Sequence, residues 1–302
     1  MLVLTVGKTY IDIDGYASCI AYRELLKMQG IDSKFVSNSE LNYSITDNLK
    51  SLPFYIDKYN VKPTDKFIII DLSNKQYFPE FVKEKDIIEI IDHHSGYEEY
   101  WKEKLGDKAI IEPIGSVATI IVEKYEELKL LHKMNLDVAK LLMSAILDNT
   151  LNFTAEITTI RDKNAYKKLE EITGLKDYKS LYFNNCQEYV EMNLEEAIKN
   201  DIKFLNSEIN LPKVIGQLTV WNAESLFNNK KEIIKIMNSF GDEWILNVIS
   251  LDNNTSYIMC SNEDIKNKIK LILKCNSEDN LVITLPAILR KEIMKKETCG
   301  SR

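Results

Sequence analysis

Histidine is scarce in this chain, with three in 302 residues. Cysteine is sparse too: Cys19, Cys186, Cys260, Cys275 and Cys299 are scattered, odd in number and free of any Cys-x-x-Cys pair. That excludes a disulfide framework and a cysteine-built zinc site, and it suits reduced packing thiols in a cytoplasmic protein. No stretch approaches the roughly 18 consecutive apolar residues of a membrane span, so no membrane partner is expected. The first residues, Met1-Leu2-Val3-Leu4-Thr5-Val6, lack the basic lead and small-residue cleavage site of a signal peptide and read as a strand. Positive charge is in deficit, and a net charge of −7 argues against general nucleic-acid binding. Repeats and low-complexity segments are absent, and the length suits two domains of a globular protein.

Two of the three histidines stand side by side in Ile90-Ile91-Asp92-His93-His94. The preceding apolar run, Ile87–Ile91, reads as a buried strand. Leu2–Val6 and Phe67–Ile70 are further apolar strands, and Ala109–Ile111 is a shorter one. Helical periodicity covers 16–28, closed by Gly30, then a segment from the cap Ser116 toward Leu131, then 136–147. Alternation of strand and helix predicts an α/β fold with a mostly parallel, doubly wound N-terminal sheet. A smaller α/β unit follows: helix 194–205, strand 214–220, helix 223–240, strands 244–251 and 256–259 across Asp252-Asn253-Asn254, helix 264–273 and strand 281–285. The expected division is 1–189 and 190–302, although no glycine- or proline-rich linker marks it.

Carboxylates gather at the strand ends. Asp12 and Asp14 follow the first strand, two apart, so in an extended loop their side chains diverge. Asp71 ends the second apolar run, Asp92-His93-His94 the third, and Asp148 follows the helix Leu141–Leu147. Open α/β sheets bind ligands at the carboxyl ends of their strands. Unpaired carboxylates collected there repel one another, and a bound divalent ion removes that repulsion. Carboxylate with imidazole suits Mn, Fe, Co or Zn. His132 reads as a helix C-terminal residue rather than a ligand, and Trp101, Trp221 and Trp244 as packing residues.

Asp-x-Asp, then Asp71, then Asp92-His93-His94, then Gly115-Ser116 opening a helix, then Ser144-Ala145-Ile146-Leu147-Asp148, resemble in order the motifs of the DHH phosphoesterases. The second half is similar to the C-terminal domain of the subgroup that contains family II inorganic pyrophosphatases and prune-like exopolyphosphatases. Asp201-Ile202-Lys203 looks like its substrate-lysine segment and Leu289-Arg290-Lys291 like its Ser-Arg-Lys motif. The resemblance implies that Asp71 bridges two metals, that Asp14, His93 and Asp148 complete one site, and that Asp12 belongs to the other. It implies that His94, beside Asp92, contacts phosphate or assists a proton transfer, and that Lys203, Arg290 and Lys291 clamp phosphates. The implied activity is two-metal hydrolysis of pyrophosphate or short polyphosphate, with Mn²⁺, or Co²⁺ or Mg²⁺, as cofactor. A small phosphorylated substrate follows from the same resemblance; a homodimer is one option for the assembly, which the sequence itself does not set.

The chain departs from the pyrophosphatases in three places. Lys8 stands where they carry a histidine four positions before the first aspartate, Leu72 follows Asp71 where they carry histidine, and Leu289 replaces the serine of Ser-Arg-Lys. An ammonium cannot ligate a metal, so Lys8 is expected to serve substrate charge instead. Two other readings remain open: a phosphoesterase acting on another small phosphorylated compound, and a weakened enzyme that binds metal and a phosphorylated ligand.

Overall fold

Short apolar strands build the first sheet. β1 (Leu2–Thr5), β3 (Lys66–Ile70) and β4 (Ile87–Asp92) are almost entirely buried, as strands covered on both faces must be. The protein is described by a computed structural model that covers residues 1–205, 210–278 and 281–300. Between β1 and β3 lie α1 (Ile13–Met28), β2 (Ser33–Phe35) and the short α2 (Asp47–Lys50). After β4 come α3 (Glu98–Leu105), β5 (Ala109–Ile111), α4 (Val117–Glu127), α5 (Leu136–Asn149) and α6 (Ile160–Thr173). The five strands pair in parallel in the order β2-β1-β3-β4-β5. The order reverses between β1 and β3, so the chain segments leaving those two strands part and open a crevice. Asp12 follows one of these strands and Asp71 the other.

One side of this unit is closed by Val3, Phe67, Ile69, Ile90, Phe78 and Trp101, whose indole donates to the Ser73 carbonyl at 2.8 Å. Each such aliphatic side chain contributes about 1.5–3 kcal/mol by burial. Trp244 is also buried, but Trp221 is 36% exposed and packs less than expected. α4 stops at Glu127, so His132 falls beyond it in a separate 3-10 turn, Leu131–Lys133, rather than at the helix end.

The chain divides into two compact units, 1–153 with 157–179, and 154–156 with 180–302. The remaining elements are α7 (Tyr178–Met192), α8 (Leu194–Lys199), β6 (Lys203–Phe204), β7 (Val214–Val220), α9 (Glu224–Phe227), α10 (Lys230–Asn238), β8 (Trp244–Ser250), β9 (Thr255–Cys260), α11 (Glu263–Leu273), β10 (Asn276–Glu278), β11 (Leu281–Thr284) and α12 (Arg290–Gly300). The second sheet is mixed, ordered β10-β11-β9-β8-β7-β6, with β7 and β8 parallel and the other pairs antiparallel. The expected helix 194–205 ends six residues early, because Lys203 and Phe204 pair with Ile215 and Val214 on β7. The expected helix 223–240 is two helices, broken at Asn228-Asn229. No helix among the described residues is long and apolar enough to cross a membrane.

Candidate functional site

Asp12 and Asp14 do not lie in an extended loop. Asp12 is the N-cap of α1, its Oδ1 accepting from the Gly15 N–H at 3.0 Å, and Asp14 sits in the first helical turn. The extended loop expected there is therefore replaced by a helix cap and its first turn. Gly15 matters here. A Cβ added to it would stand 3.6 Å from both Asp12 Oδ1 and Asp71 Oδ2, and 3.0 Å from Val6 Cγ1. The carboxylates would be met at ordinary contact distance, and only the Val6 methyl would be pressed.

Asp71, one residue past β3, adopts the left-handed conformation with φ 59°. For a residue other than glycine this costs on the order of 1–2 kcal/mol. Its N–H donates to the Ile91 carbonyl at 2.8 Å, which holds the bend against β4. Asp71 Oδ1 lies 3.3 Å from His93 Nε2 and 3.8 Å from His94 Nδ1. Among the described residues, Asp71, His93 and His94 form a group whose ligand atoms all lie within 4.8 Å of one another. Two donors each about 2.1 Å from an ion, with bond angles of roughly 90–110°, stand about 3.0–3.4 Å apart. The Asp71–His93 spacing falls in that range, and the mixed oxygen–nitrogen set suits manganese or cobalt better than calcium. The residues present therefore fit a divalent ion.

Asp92 is the last residue of β4 and is fully buried. Its Oδ1 accepts from the His93 N–H (2.8 Å) and the His94 N–H (3.2 Å), and lies 2.8 Å from His94 Nδ1. Burial alone would raise its carboxyl, but the charge and hydrogen bond of His94, with the His93 N–H, hold it below the usual carboxylate range. The acceptor at Nδ1 fixes the tautomer of His94: Nδ1 carries hydrogen and Nε2 is left for the half-exposed side.

Asp14 is buried behind this group, its Oδ2 4.0 Å from His93 Nε2. It also sits on the N-terminus of α4. Oδ1 accepts from Ser116 Oγ (2.8 Å) and the Ala118 N–H (2.9 Å), and Oδ2 accepts from the Val117 N–H (2.9 Å). Burial first, then the neighbouring Asp12 charge, push its carboxyl up to about 7 against those hydrogen bonds. A carboxyl raised in the folded state contributes stability that is present below its unfolded value and lost as pH rises through the folded one. The metal-free protein should therefore lose stability between about pH 4 and pH 7, and added Mn²⁺ should remove that loss. Thermal unfolding across this range with and without the ion checks it; a metal-independent profile would refute the coupling.

The α4 N-terminus is itself held by residues that sequence reasoning missed. The buried Asp162 accepts from the Gly115 N–H (3.1 Å), Thr119 Oγ1 (2.7 Å) and the Thr159 N–H and Oγ1 (both 2.8 Å). Thr159-x-x-Asp162 is a capping box for α6 and was readable as one. A Cβ on Gly115 would meet Thr150 Cγ2 at 2.6 Å and Asp162 Oδ2 at 2.8 Å. Gly115→Ala should therefore destabilise by about 1–3 kcal/mol and weaken metal uptake through Asp14. Chemical denaturation and a metal titration measure the two effects; an unchanged midpoint would show that the turn relaxes freely.

Asp148 lies half-buried in the last turn of α5 and outside the Asp71–His93–His94 group. Lys8 is exposed, with its N–H donating to the Tyr77 carbonyl at 2.9 Å. Cys19, buried in α1, has its thiol pushed well up by burial and then by Asp71, which disqualifies it as a nucleophile.

In the second unit, Lys203 opens β6 and Lys291 lies in the first turn of α12, both half-buried. Arg290 is placed differently. It is only 7% exposed, and its Nη1 donates to the Asp201 carbonyl (2.6 Å) and Asp201 Oδ1 (2.5 Å), with the Ile215 carbonyl at 3.5 Å. The chain before it is pinned across three strands. Asn247 Nδ2 donates to the Ile288 carbonyl (2.7 Å), Ser256 Oγ accepts from the Ile288 N–H (2.9 Å), and Gln217 Oε1 accepts from the Arg290 N–H (2.7 Å).

Comparison with known proteins agrees with this architecture. The manganese-dependent inorganic pyrophosphatase of Bacillus subtilis is 25% identical over 303 residues, covering 96% of this chain and 95% of that protein. A relative from Exiguobacterium sp., whose name assigns it the same activity, is 28% identical over 240 residues, covering 76% of this chain and 75% of its own. The crystal structure of a Methanococcus jannaschii protein assigned to the family II inorganic pyrophosphatases superposes with a TM-score of 0.75 at 23% identity, covering 99% of this chain and all (100%) of that one. An exopolyphosphatase-related protein from Bacteroides fragilis shares the fold more loosely, with a TM-score of 0.54 at 12% identity and coverage of 99% and 91%. The model of the DHH family, N-terminal domain, matches residues 2–146, the segment that carries Asp12, Asp14, Asp71 and Asp92-His93-His94. Residues 2–146 are therefore similar to the N-terminal domain of the DHH family.

Proposed function

We propose that this chain is a divalent-metal-dependent hydrolase of inorganic pyrophosphate or short polyphosphate, acting in the cytoplasm with manganese as its preferred ion. The observation that carries the reading is the buried meeting of Asp71 and His93, with the Asp14 carboxylate behind them. Asp71, His93, Asp14 and Asp148 would hold one ion, and Asp12 with Asp71 a second. A bound ion supplies Lewis acidity and neutralises charge on phosphoryl oxygens. The protein's own contribution begins with Asp92, which positions His94 and touches no substrate. His94 keeps Nδ1 on Asp92 and offers Nε2 to the substrate side, where the neutral ring takes up a proton and the resulting imidazolium donates to a phosphate oxygen. Lys203 and Lys291 bring point positive charges suited to phosphate.

Lys8 favours a second reading, a one-metal protein that binds a phosphorylated ligand with slow turnover, because an ammonium replaces a ligand there. Phosphate release from pyrophosphate, tripolyphosphate and a set of phosphomonoesters and diesters, each with Mn²⁺, Co²⁺ or Mg²⁺, separates these readings. Fastest release from pyrophosphate with Mn²⁺ supports the proposal. Preference for a monoester or diester, or binding without release, would overturn it.

A further inference from the structure

The segment that carries Asp12 and Asp14 is gripped by a second stretch of chain, 39–44, which lies between β2 and α2. This stretch runs alongside 7–13, with Leu41 bridged in parallel to Ile11. Ser39 Oγ donates to the Gly7 carbonyl (3.0 Å), the Ile11 N–H to the Glu40 carbonyl (2.8 Å) and the Asn42 N–H to the Ile11 carbonyl (2.8 Å). A side chain makes the last tie: Ser44 Oγ accepts from the Ile13 N–H at 2.9 Å. Ile13 opens α1 and stands between the two carboxylates. We infer that Ser44, oriented by Asn42, is a positioning residue for the metal site: it caps the amide between Asp12 and Asp14 and so fixes where the two carboxylates meet an ion. The inference rests on the proposed assignment of both carboxylates to bound metal.

Helix capping explains why an outside acceptor is needed. The side chain of an N-cap residue reaches the N–H of the second or third helical residue, not the first. Asp12 follows that rule and holds Gly15, so the Ile13 N–H has to find its partner elsewhere. Ile13 is fully buried, and a buried amide left without an acceptor costs about 1–3 kcal/mol. The Ser44 hydroxyl has one hydrogen, and Asn42 takes it. Asn42 Oδ1 accepts from Ser44 Oγ at 2.5 Å and from the Ser44 N–H at 3.0 Å. With its hydrogen committed, the hydroxyl turns a lone pair to Ile13. Asn42 and Ser44 are both buried, so bulk water does not compete for these bonds. Ligands have to be held within about 0.5 Å of their productive place, a tolerance that a frayed first turn would exceed.

Calorimetric titration of the folded chain with Mn²⁺, without substrate, tests this. Ser44→Ala should weaken Mn²⁺ binding about tenfold, the lower end of the loss that follows when a group behind a ligand is removed. Asn42→Ala should weaken it about threefold in the parent and by nothing further in the Ser44→Ala background, because Asn42 acts through that hydroxyl. Ile269→Val, in the core of the second unit, supplies a destabilised control that should keep the parent affinity. A folded Ser44→Ala chain with the parent affinity would reduce the bond to fold stability and overturn the inference. Losses at Asn42 and Ser44 that simply add, or an equal loss in the control, would overturn it as well. If Ser44→Ala does not fold, amide exchange at Ile13 in the unsubstituted chain decides. A bond that favours the ion must be favoured by it in return, so saturating Mg²⁺ should slow that exchange about tenfold. Exchange that is fast, or that Mg²⁺ leaves unchanged, overturns the inference. A parent chain that binds Mn²⁺ yet releases no phosphate from pyrophosphate refutes the proposed function alone, whereas one that binds neither Mn²⁺ nor Mg²⁺ refutes both.

Discussion

Replacing His93 by alanine should empty the chain of its tightly held divalent ion and remove hydrolysis with it. His93 Nε2 faces both the Asp71 carboxylate at 3.3 Å and the Asp14 carboxylate at 4.0 Å, and its side chain is 1% exposed. Without it the carboxylates keep their mutual repulsion and lose their nitrogen donor. Loss of a mere orienting partner already weakens metal sites about 10–100-fold, so loss of a ligand should exceed that. Activity should fall by about a thousandfold or more, because the ion's contribution to a phosphoryl-transfer barrier is several kcal/mol. Stability gives an independent readout. An ion present at about 100 times its dissociation constant stabilises the native state by about 2.7 kcal/mol, and that increment should vanish in His93→Ala. Metal content by elemental analysis and the Mn²⁺-induced rise in melting temperature are the measurements. A variant that retains its ion, or melts with the same Mn²⁺ increment as the parent, would remove His93 from the site.

Much of this site was legible because its elements announce themselves locally. The run Ile87–Ile91 could only be a buried strand, and the residues that end it had to emerge at the crevice. Ser116 was readable as a cap and does accept from the Ala118 N–H. What escaped depends on distant partners or on polar segments. β2 is a three-residue Ser-Lys-Phe strand set by pairing with β1, and α6 presents mostly charge along its length. The partner of Arg290 lies 89 positions away, so no spacing rule could show their ion pair. The left-handed backbone of Asp71 is equally silent in the sequence, since aspartate visits that region only when neighbouring strands over-determine it.

The reverse experiment adds a ligand. By the resemblance, Lys8 stands where the pyrophosphatases carry histidine, and an ammonium offers no lone pair to a metal. Its side chain is exposed, while its backbone is tied to the Tyr77 carbonyl, just beyond the Asp71 bend. On the proposed assignment, the second metal position is left with Asp12 and Asp71. Two carboxylates completed by water resemble a loose Mg²⁺ site rather than a transition-metal site. One tightly held transition metal per chain is therefore expected, with the second position weak, filled by Mg²⁺ or only with substrate, and pyrophosphate turnover slow. Lys8→His should raise tightly bound manganese from one toward two per chain and should accelerate hydrolysis. A gain of only about 1.4 kcal/mol in transition-state stabilisation reads as a tenfold rate increase, well within what a second ion supplies. The same variant also removes a positive charge, so a tighter metal with a higher KM would mark Lys8 as a substrate contact, whereas an unchanged KM would mark it as a lost ligand alone. Two tightly bound transition metals in the unsubstituted chain, or a Lys8→His variant with unaltered stoichiometry and rate, would show that another residue completes the second position.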